Sequence, residues 1–402
     1  MKTKRYYSLI LAGIILAGIQ ACKEDTIVPS AVCTISYEDS SSTHPKGAFY
    51  QSILDKYTGK GLPGIVLLIQ DESGMWIGSS GKADIENNID MMPCTVSKVA
   101  SITKLFIGTL TMILEEEGVL DLDDKISKYL DDKIIKKIKN ADETTIRQLM
   151  NHTSGIYDHV SDQGFYLKLL NNPNKNWEPE ELLEFVYGKP AYFETGTGVH
   201  YSNTNFLLLS MVIDQATGSS HADILRSKII QPLGLMNTYY HWHEKLPDIT
   251  AQGYYDLYNN GTILNMSNYH TGSGNGYGGI YSTVRDMQIF LKALLIDKIL
   301  LSDSSLNVMM TFTNLEEVDE QGEGRNLGLG MFKQHFLYMA PDEFGYGHGG
   351  RDLQYSADLY WFPKNNVIMA YLVNYGTNGT TALRDVFYDF RLEVVDGIFN
   401  DN

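Results

Sequence analysis

The chain has 402 residues, of which 43% are hydrophobic and 20% are charged, and its formal net charge is −17 at pH 7. This length allows one large core or two modest ones, and the composition is that of an ordinary globular protein, which excludes disorder over most of the chain. The acidic balance argues against nucleic acid as a partner, because a phosphate backbone attracts basic surfaces.

The first segment has the anatomy of a secretory signal peptide. Basic residues at positions 2, 4 and 5 precede an apolar run over 9–19, which is too short to span a bilayer as a helix. The small residue Ala21 before Cys22 resembles the lipobox of bacterial lipoproteins. We therefore expect a signal peptide over 1–21, lipidation of Cys22, and a cell-envelope lipoprotein anchored in the outer membrane, on its periplasmic or surface-exposed side.

The next stretch, residues 22–46, is rich in Ser, Thr and acids, which is typical of a flexible tether. Cys33 lies in this stretch and Cys94 in the part expected to fold, and two cysteines so placed do not predict a disulfide framework. The closest histidine pair, His241 and His243, is interpreted as part of a strand or turn. No metal site is expected.

The hydrophobic pattern predicts a β-rich beginning and a helical middle. A helix over 48–57 precedes a hairpin of two strands at 64–70 and 75–77. Helical periodicity then dominates, at 101–118, 144–151, 180–187, 203–217 and 221–230.

Strand patterns return near the end of the chain, at 327–332, 359–362 and 367–373, and a last helix is predicted over 381–394. We expect one domain over 47–398 of the α+β class, an α/β sandwich whose antiparallel sheet is built from both termini. An all-helical region at about 101–270 is inserted into it.

Ser101 and Lys104 form an S-x-x-K pattern at the start of a predicted apolar helix. Residues i and i+3 share one helix face, so the two side chains can touch. A desolvated lysine can accept the serine proton, and the first-turn N–H of Ser101 can hold an oxyanion. About one or two such patterns arise by chance in this composition, and the alternative is an N-cap serine beside a solvated lysine.

Tyr201 and Asn203 lie at a loop mouth about 100 residues later, before another predicted helix. A tyrosine near an ammonium group can act as a general base, while an asparagine amide can accept from Lys104 and donate to a substrate carbonyl. The alternative is a packed aromatic residue and an N-cap asparagine. Tyr258 and Asn260 repeat the pattern without a comparable context.

A third pattern is His348-Gly349-Gly350, followed by Arg351 and a predicted strand. Glycines at such a place allow a ligand to approach the backbone closely. Taken alone, a histidine here is more often a surface residue of a Gly-rich turn.

The three patterns occur in the order found in the serine β-lactamase and penicillin-binding superfamily. The chain resembles the branch that contains class C β-lactamases, D-alanyl-D-alanine carboxypeptidases, related esterases and D-aminopeptidases. The resemblance runs from about residue 50 to 395 and implies a β-lactamase/transpeptidase-like fold. It includes D-L-D-D-K-I at 121–126, L-M-N-H-T-S-G-I at 149–156, Q-P-L-G-L-M at 231–236 and G-G-I-Y-S-T at 278–283.

The resemblance implies that Ser101 is the acylated nucleophile and Lys104 its proton-relay partner. It implies that Tyr201 is the general base that later donates to the leaving group, and that Asn203 orients the substrate amide. Water then hydrolyses the acyl-enzyme, so no metal or cofactor is implied.

His348 takes the place of the lysine in the K-T-G motif of class C enzymes. The oxyanion hole implied by the resemblance consists of the N–H groups of Ser101 and Arg351, with Gly350 on the substrate-binding strand. Arg351 is also a candidate anchor for a terminal carboxylate.

Two other motifs are interpreted as structural. The G-x-G-x-x-G pattern at 274–279 lacks a preceding parallel strand and a βαβ unit, which favours a glycine-rich loop. The H-T-S-G stretch at 152–155 is interpreted as a turn, and no G-x-S-x-G motif supports an α/β-hydrolase.

The leading functional hypothesis is hydrolysis of a peptide-like amide, with D-alanyl-D-alanine ends of cell-wall peptides as substrate. Esterase and β-lactamase activities use the same residues and stay open, with a small ester or a β-lactam as substrate. The alternative of another class is a cell-envelope binding protein that has the fold without the chemistry.

Overall fold

The computed structural model describes residues 27–318, 323–337, 339–340 and 342–399. The predicted signal peptide and Cys22 lie outside the described residues. Within them, no helix is long and apolar enough to cross a membrane.

The strands of the described residues are mostly antiparallel neighbours in one large sheet. They are β1 (Gly64–Asp71), β2 (Gly74–Asp84), β3 (Ile89–Asp90), β4 (Ser97–Lys98), β5 (Tyr239–Tyr240), β6 (Tyr254–Tyr255), β7 (Leu264–Asn265), β8 (Ile280–Ser282), β9 (Glu317–Val318), β10 (Gly324–Leu327), β11 (Phe332–Gln334), β12 (Gly345–Arg351), β13 (Ser356–Phe362) and β14 (Val367–Val373).

The helices fall into two groups, one before and after the sheet strands and one between them. They are α1 (Gly47–Gly59), α2 (Thr103–Glu116), α3 (Asp132–Ile135), α4 (Ile146–Met150), α5 (Gln163–Asn171), α6 (Pro179–Leu183), α7 (Asn203–Thr217), α8 (His221–Leu225), α9 (Val284–Leu295), α10 (Asp303–Met309) and α11 (Arg384–Phe399).

The large sheet joins the two ends of the chain. Its strand order is β3-β2-β1-β14-β13-β12-β11-β10-β9, so the hairpin of β1 and β2 pairs directly with the last strand. The register of β1 on β14 runs from Ile65 opposite Val373 to Gln70 opposite Ile368. The prediction of an α+β fold with an antiparallel sheet built from both termini is therefore confirmed.

Alternate residues of β1 enter two separate cores, as the two-residue period of a strand requires. Val66 and Leu68 face the core that contains α2 and α9, where the rings of Phe106 and Phe290 stack with centroids 3.7 Å apart. Ile65, Leu67 and Ile69 face the core formed with α1 and α11. The near-continuous apolar sequence of β1 is explained by burial on both faces.

The inserted helical region is shorter than predicted. Helix α7 has the predicted bounds, and the helical turns that follow α8 end at Ile230. Between 239 and 265 the chain forms the short strands β5, β6 and β7 instead. The expected helical extent of about 101–270 is therefore corrected to about 101–230, because the later part is rich in Tyr, Thr and Gly, which favour strands and turns over helices.

The segment assigned to a tether is attached to the domain over its described part. Ser30 donates its N–H to Asp84 Oδ2 at 3.0 Å and its hydroxyl to Thr250 O at 2.7 Å. Cys33 forms a disulfide with Cys94, a bond that the sequence analysis, which expected no disulfide framework, did not predict. The sequence did not suggest the bond because Cys33 and Cys94 are separated by 60 residues, and their distance in space depends on the tertiary fold.

The three glycines around His348 lie inside strand β12, not before a strand as the sequence pattern suggested. Glycine has low strand propensity, so a segment with four glycines in seven residues is not predicted to be a strand. Pairing with β13 stabilises it as one.

Candidate active site

The S-x-x-K pair lies where the large sheet meets the helical region. A 3-10 turn over Ala100–Ile102 leads into α2, and Lys104 Nζ donates to Ser101 Oγ at 3.1 Å. Lys104 is fully buried, and it also donates to Asn203 Oδ1 at 2.8 Å and to Tyr277 O at 2.7 Å. Burial lowers the pKa of Lys104 to about 7, which allows a substantial neutral fraction at neutral pH.

The backbone before the nucleophile has an uncommon conformation. Ala100 has a φ of 49°, in the left-handed region that costs a non-glycine residue free energy. The turn places Ser101 in the first turn of the helix, where N–H groups lack intrahelical partners. The N–H of Ser101 is therefore available to a ligand in the cleft.

The second proposed oxyanion donor is the N–H of Arg351, and its direction follows from the alternating hydrogen-bond pattern of β12. Asp352 N donates to Tyr355 O at 2.9 Å immediately beyond the strand end. Because bonded and non-bonded pairs alternate in an antiparallel ladder, the N–H of Arg351 points away from β13. Strand β11 pairs only with 345–347, so at Arg351 this edge is open and lies against the Ser101 turn.

Gly350 lies directly beneath this turn. A side chain at this position would collide with the carbonyl oxygen of Val99, and its nearest neighbours include Ser101 N. Only a residue without a Cβ lets the strand approach the nucleophile this closely.

The side chain of Arg351 is largely committed within the protein. Its Nη1 donates to Gly350 O and Ala357 O, each at 2.7 Å, and to Asp358 Oδ1 at 2.9 Å. The rest of the guanidinium lines the cleft and a smaller cavity beside it. Asp358 already neutralises this cation, so Arg351 is not a freely available charge.

Asn203 is held between a cation and an anion. Its Oδ1 accepts from Lys104, and its Nδ2 donates to Asp158 Oδ2 at 3.1 Å, which fixes the orientation of the amide. Asp158 Oδ1 also accepts the backbone N–H of Asn203 at 3.0 Å. One N–H of the Asn203 amide remains for a substrate carbonyl.

Tyr201 is positioned by aromatic contacts. Its ring lies 4.5 Å from that of His152 and 4.9 Å from Lys104 Nζ. Burial raises the pKa of Tyr201 above its usual value, and the Ser101 hydroxyl and the charge of Arg325 offset this only in part. The Tyr201 hydroxyl is therefore a neutral phenol in the resting site, and it is buried beside the Ser101 hydroxyl.

His348 is buried and stacks on Phe332, with ring centroids 3.8 Å apart. Its Nδ1 lies 2.6 Å from Gly349 O, which requires the tautomer with the proton on Nδ1. Burial and the nearby Lys104 lower the pKa of His348 well below its usual value. The imidazole is therefore neutral, and its buried Nε2 has no hydrogen-bond partner.

An ion pair that no sequence motif indicated lies above Tyr201. Arg325 Nη2 and Nε donate to Glu317 Oε2 at 2.7 and 2.9 Å, and Glu317 Oε1 accepts the N–H of Tyr201 at 2.9 Å. The guanidinium carbon lies 5.3 Å from the centre of the Tyr201 ring. Arg325 thus places a fixed positive charge beside the site.

These groups line a cleft of about 750 Å³, and a polar cavity of about 140 Å³ adjoins it. The cleft brings together all the residues proposed from the sequence except Lys104, which lies beneath its floor, Gly350, which forms the strand backbone, and Cys22, which is outside the described residues. In the described parts of the chain, no group of three His, Cys, Asp or Glu residues could hold a metal ion.

The members of the cleft that sequence reasoning missed include the charged residues Asp158, Glu317 and Arg325. No motif contains them, and Arg325 and Glu317 reach the site only because β9 and β10 extend the sheet past β11. The H-T-S-G stretch was interpreted only as a turn, yet its first residue, His152, contacts Tyr201.

Comparison with known proteins identifies the family of this chain. A protein-family model described as beta-lactamase matches residues 50–391. The D-alanyl-D-alanine-carboxypeptidase/endopeptidase AmpH of Escherichia coli is 24% identical over 341 residues, which cover 80% of this chain and 83% of AmpH. A penicillin-binding protein of Bacillus subtilis is 28% identical over 252 residues, which cover 58% of this chain and 52% of that protein.

Solved structures with the same fold include two amide hydrolases. The D-stereospecific amidohydrolase from Streptomyces has a TM-score of 0.75 and 28% identity, covering 88% of this chain and 99% of that one. The D-amino acid amidase from Ochrobactrum anthropi, solved with L-phenylalanine amide, has a TM-score of 0.72 and 26% identity, covering 87% and 97%. The chain therefore belongs to the beta-lactamase family, within the superfamily of serine β-lactamases and penicillin-binding proteins.

Proposed function

We propose that this protein hydrolyses peptide-like amides through an acyl-enzyme on Ser101, with D-alanyl-D-alanine peptide ends as the substrate. The observation that carries the proposal is the contact between Ser101 Oγ and Lys104 Nζ at 3.1 Å, because the buried lysine has a pKa of about 7. A serine hydroxyl becomes a useful nucleophile only when a neighbouring base can take its proton at working pH.

Acylation starts with attack of Ser101 Oγ on the substrate carbonyl carbon, while the hydroxyl proton moves to neutral Lys104. The N–H groups of Ser101 and Arg351 stabilise the oxyanion. When the carbon–nitrogen bond breaks, the leaving amine takes the phenolic proton of Tyr201, and the Lys104 ammonium returns a proton to Tyr201. The directions of the two pKa shifts favour Lys104 as the first base, in place of the Tyr201 base expected from the resemblance.

Deacylation reverses this path with water in place of the amine. Water loses a proton to the Tyr201 and Lys104 pair and attacks the ester carbonyl, and the proton returns to Ser101 Oγ as the acid leaves. Neutral His348 lines the same cleft, and its Nε2 is an unpaired acceptor that a movement of the ring could offer to the attacking water.

The polar cavity beside the cleft supports a leaving group that ends in a carboxylate. Arg325, Arg351 and Asn378 line both spaces. Both arginines already pair with carboxylates of the protein, so a substrate carboxylate would bind through their remaining N–H groups. The printed name of the relative AmpH describes carboxypeptidase and endopeptidase activity, which is consistent with this substrate class.

Mass spectrometry of the acyl-enzyme tests the proposal. The intact protein is mixed with an N-acylated peptide ending in D-Ala-D-Ala, a short-chain ester and a cephalosporin, and product release is measured in parallel. We expect an adduct on the peptide containing Ser101 and the fastest turnover with the D-Ala-D-Ala peptide. Faster turnover of the ester or the cephalosporin would instead assign esterase or β-lactamase activity.

The third possibility, a binding protein without chemistry, is tested with a fluorophosphonate. Ser101→Ala must lose labelling that the unaltered protein shows. Equal absence of labelling in both proteins would overturn the hydrolase proposal and favour the binding protein.

A second candidate function is release of D-amino acids from their amides, and Asp158 favours it. This buried carboxylate lines the cleft and accepts hydrogen bonds from amide groups of Asn203 and Val160. The nearest imidazole nitrogen, on His159, is 3.8 Å away, and burial lowers the pKa of His159 to about 3, so that ring is uncharged. Burial raises the pKa of Asp158 and the charge of Lys104 offsets this only in part, so a free α-ammonium group of a substrate would further stabilise the charged carboxylate.

The two candidates differ in the substrate amine. Turnover of a D-phenylalanine amide with a free amine is compared with that of its N-acetyl derivative, in the unaltered protein and in Asp158→Asn. A preference for the free amine that Asp158→Asn abolishes would assign the amidase activity. A preference for the acetylated form in both proteins would exclude it.

We also propose that the protein is exported and anchored in the outer membrane through lipid on Cys22. The signal-like sequence supports this, as does the disulfide between Cys33 and Cys94, since such bonds persist in oxidising compartments. Metabolic labelling with an alkyne fatty acid, with Cys22→Ser as control, tests the anchor. Equal labelling of the two proteins would contradict it.

A further inference from the structure

A buried ion pair lies next to the proposed oxyanion hole and takes no direct part in the chemistry described above. Lys98 Nζ contacts Asp352 Oδ2, and the two residues are only 3% and 9% exposed. Thr271 Oγ1 joins the pair, at 3.3 Å from Lys98 Nζ and 3.5 Å from Asp352 Oδ2. Burying two charges costs desolvation free energy, so a buried ion pair at this place suggests a role beyond stability.

The two residues belong to the two segments that carry the oxyanion donors. Lys98 is three residues before Ser101, and its backbone is fixed by pairing of β4 with β8, opposite Tyr281. Asp352 directly follows Arg351, and its own N–H bonds to Tyr355 O. Each charged residue therefore lies on the segment that carries one of the two N–H groups, at a backbone position held by hydrogen bonds.

The sheet itself does not fix the separation of these segments. In the described part of the chain, the half of β12 over 348–351 pairs only with β13, because β11 ends its pairing at Gly347. The Ser101 turn lies against the open edge through packing at Gly350. The ion pair is a second, polar link between the Ser101 turn and strand β12.

The neighbouring histidines do not act as the cation while Lys98 is present. Burial, together with the charge of Lys98, lowers the pKa of His241 to about 3 and that of His270 to about 4. Both imidazoles are therefore neutral at neutral pH, and Lys98 is the cation in ion-pair contact with Asp352.

We propose that Lys98 and Asp352 are positioning residues that set the distance between the Ser101 and Arg351 N–H groups. The inference rests on the proposed acyl-enzyme chemistry at Ser101. Oxyanion donors act through preorganised geometry, and loss of one donor elsewhere costs about 10²- to 10³-fold in rate. A displaced donor retains part of that effect, so we expect a loss of about 10- to 100-fold.

The test compares Lys98→Met, Asp352→Asn and the double variant with the unaltered protein. Acylation by p-nitrophenyl acetate is followed before the steady state, inhibition by phenylboronic acid reports on oxyanion binding, and thermal melting reports on the fold. Lys98→Arg keeps the charge and serves as the conservative variant. The ion pair of Arg226 with Glu244, neither of which lines the cleft, gives the control as Arg226→Met with Glu244→Gln.

We expect the single variants to melt at lower temperature, because each leaves a buried charge unpaired, and the double variant to regain much of that loss. The acylation rate and boronate affinity of the double variant should nevertheless stay about 10- to 100-fold below those of the unaltered protein. Lys98→Arg and the control pair should have values close to those of the unaltered protein. A purely structural role predicts that rate and stability recover together.

Two results are decisive against the proposal. A double variant that acylates and binds boronate as well as the unaltered protein would overturn the positioning role while leaving the proposed function intact. Failure of the unaltered protein itself to be acylated on Ser101 would overturn the proposed function, and the positioning role with it.

Discussion

The rings of His152 and Tyr201 are in tilted contact with centroids 4.5 Å apart, and His152 Nδ1 accepts the N–H of Ser202 at 3.1 Å. The same imidazole therefore holds both the ring of Tyr201 and the backbone beside it. His152 has a φ of 60°, so its position depends on an uncommon turn conformation. The H-T-S-G turn thus contributes to the placement of the proposed proton donor.

Replacement His152→Phe keeps a flat ring beside Tyr201 but removes the acceptor for Ser202 N–H. An unpaired buried N–H costs about 1–3 kcal/mol, so we expect lower stability by that amount. We also expect kcat for acylation to fall by about tenfold because Tyr201 is displaced. Denaturant unfolding and burst kinetics measure the two effects.

The control is His221→Phe, at a buried histidine that pairs with Asp214 away from the cleft. It should lose stability and keep kcat. Equal kcat in both variants would show that His152 supports the fold alone.

The pH dependence of acylation follows from Lys104. Its folded pKa is lowered to about 7, so the lysine is protonated and unable to accept a proton below that pH, and neutral above it. We expect the acylation rate to rise through a midpoint near pH 7 and then level off. Stopped-flow measurements with p-nitrophenyl acetate from pH 5 to 9 (a range of about two units on either side) provide the profile.

Two neighbours should move this midpoint in opposite directions. The charge of Arg325 lowers the pKa of Lys104, whereas the charge of Asp158 raises it. Arg325→Met should therefore shift the midpoint upward and Asp158→Asn downward. Shifts of the same sign, or a midpoint that neither variant moves, would contradict Lys104 as the titrating base.

The disulfide provides a prediction about stability alone. Cys33 and Cys94 are 61 residues apart in sequence, and closing a loop of that size contributes about 2–4 kcal/mol. We expect Cys33→Ser to lower the free energy of unfolding by this amount without changing acylation. Cys94→Ser and the double variant should lose the same amount, because all three remove one bond; an additional loss in the double variant would indicate separate packing effects.

The parts of the fold that follow from local pattern could be predicted from the sequence. Helix α7 and the hairpin of β1 and β2 have strong periodicity, and both occur as predicted. Strand β12 was not recognised, because its four glycines read as a loop and only pairing with β13 makes it a strand. The disulfide likewise depends on the tertiary fold, because the residues near Cys33 in sequence do not indicate that it lies close to Cys94.

The same distinction between local pattern and tertiary contact applies to the residues of the candidate site. Ser101, Lys104, Tyr201 and Asn203 belong to short motifs whose spacing has chemical meaning, and the structure brings them together. Charges such as Arg325 and Lys98 tune the site from other segments, so neighbouring residues in sequence give no indication of them. The committed side chain of Arg351 likewise depends on Asp358, which lies on another strand.

The close approach of β12 to the nucleophile gives a last prediction. Gly350→Ala would push a methyl group into Val99 O, so either the strand or the Ser101 turn must move. Because both segments carry oxyanion donors, we expect acylation to fall by about 100-fold or more. Gly59→Ala is the matched control, since a methyl group there meets no atom within 4 Å, and it should acylate normally. Circular dichroism checks that both variants fold; a folded Gly350→Ala protein with normal acylation would mean that the oxyanion hole lies elsewhere.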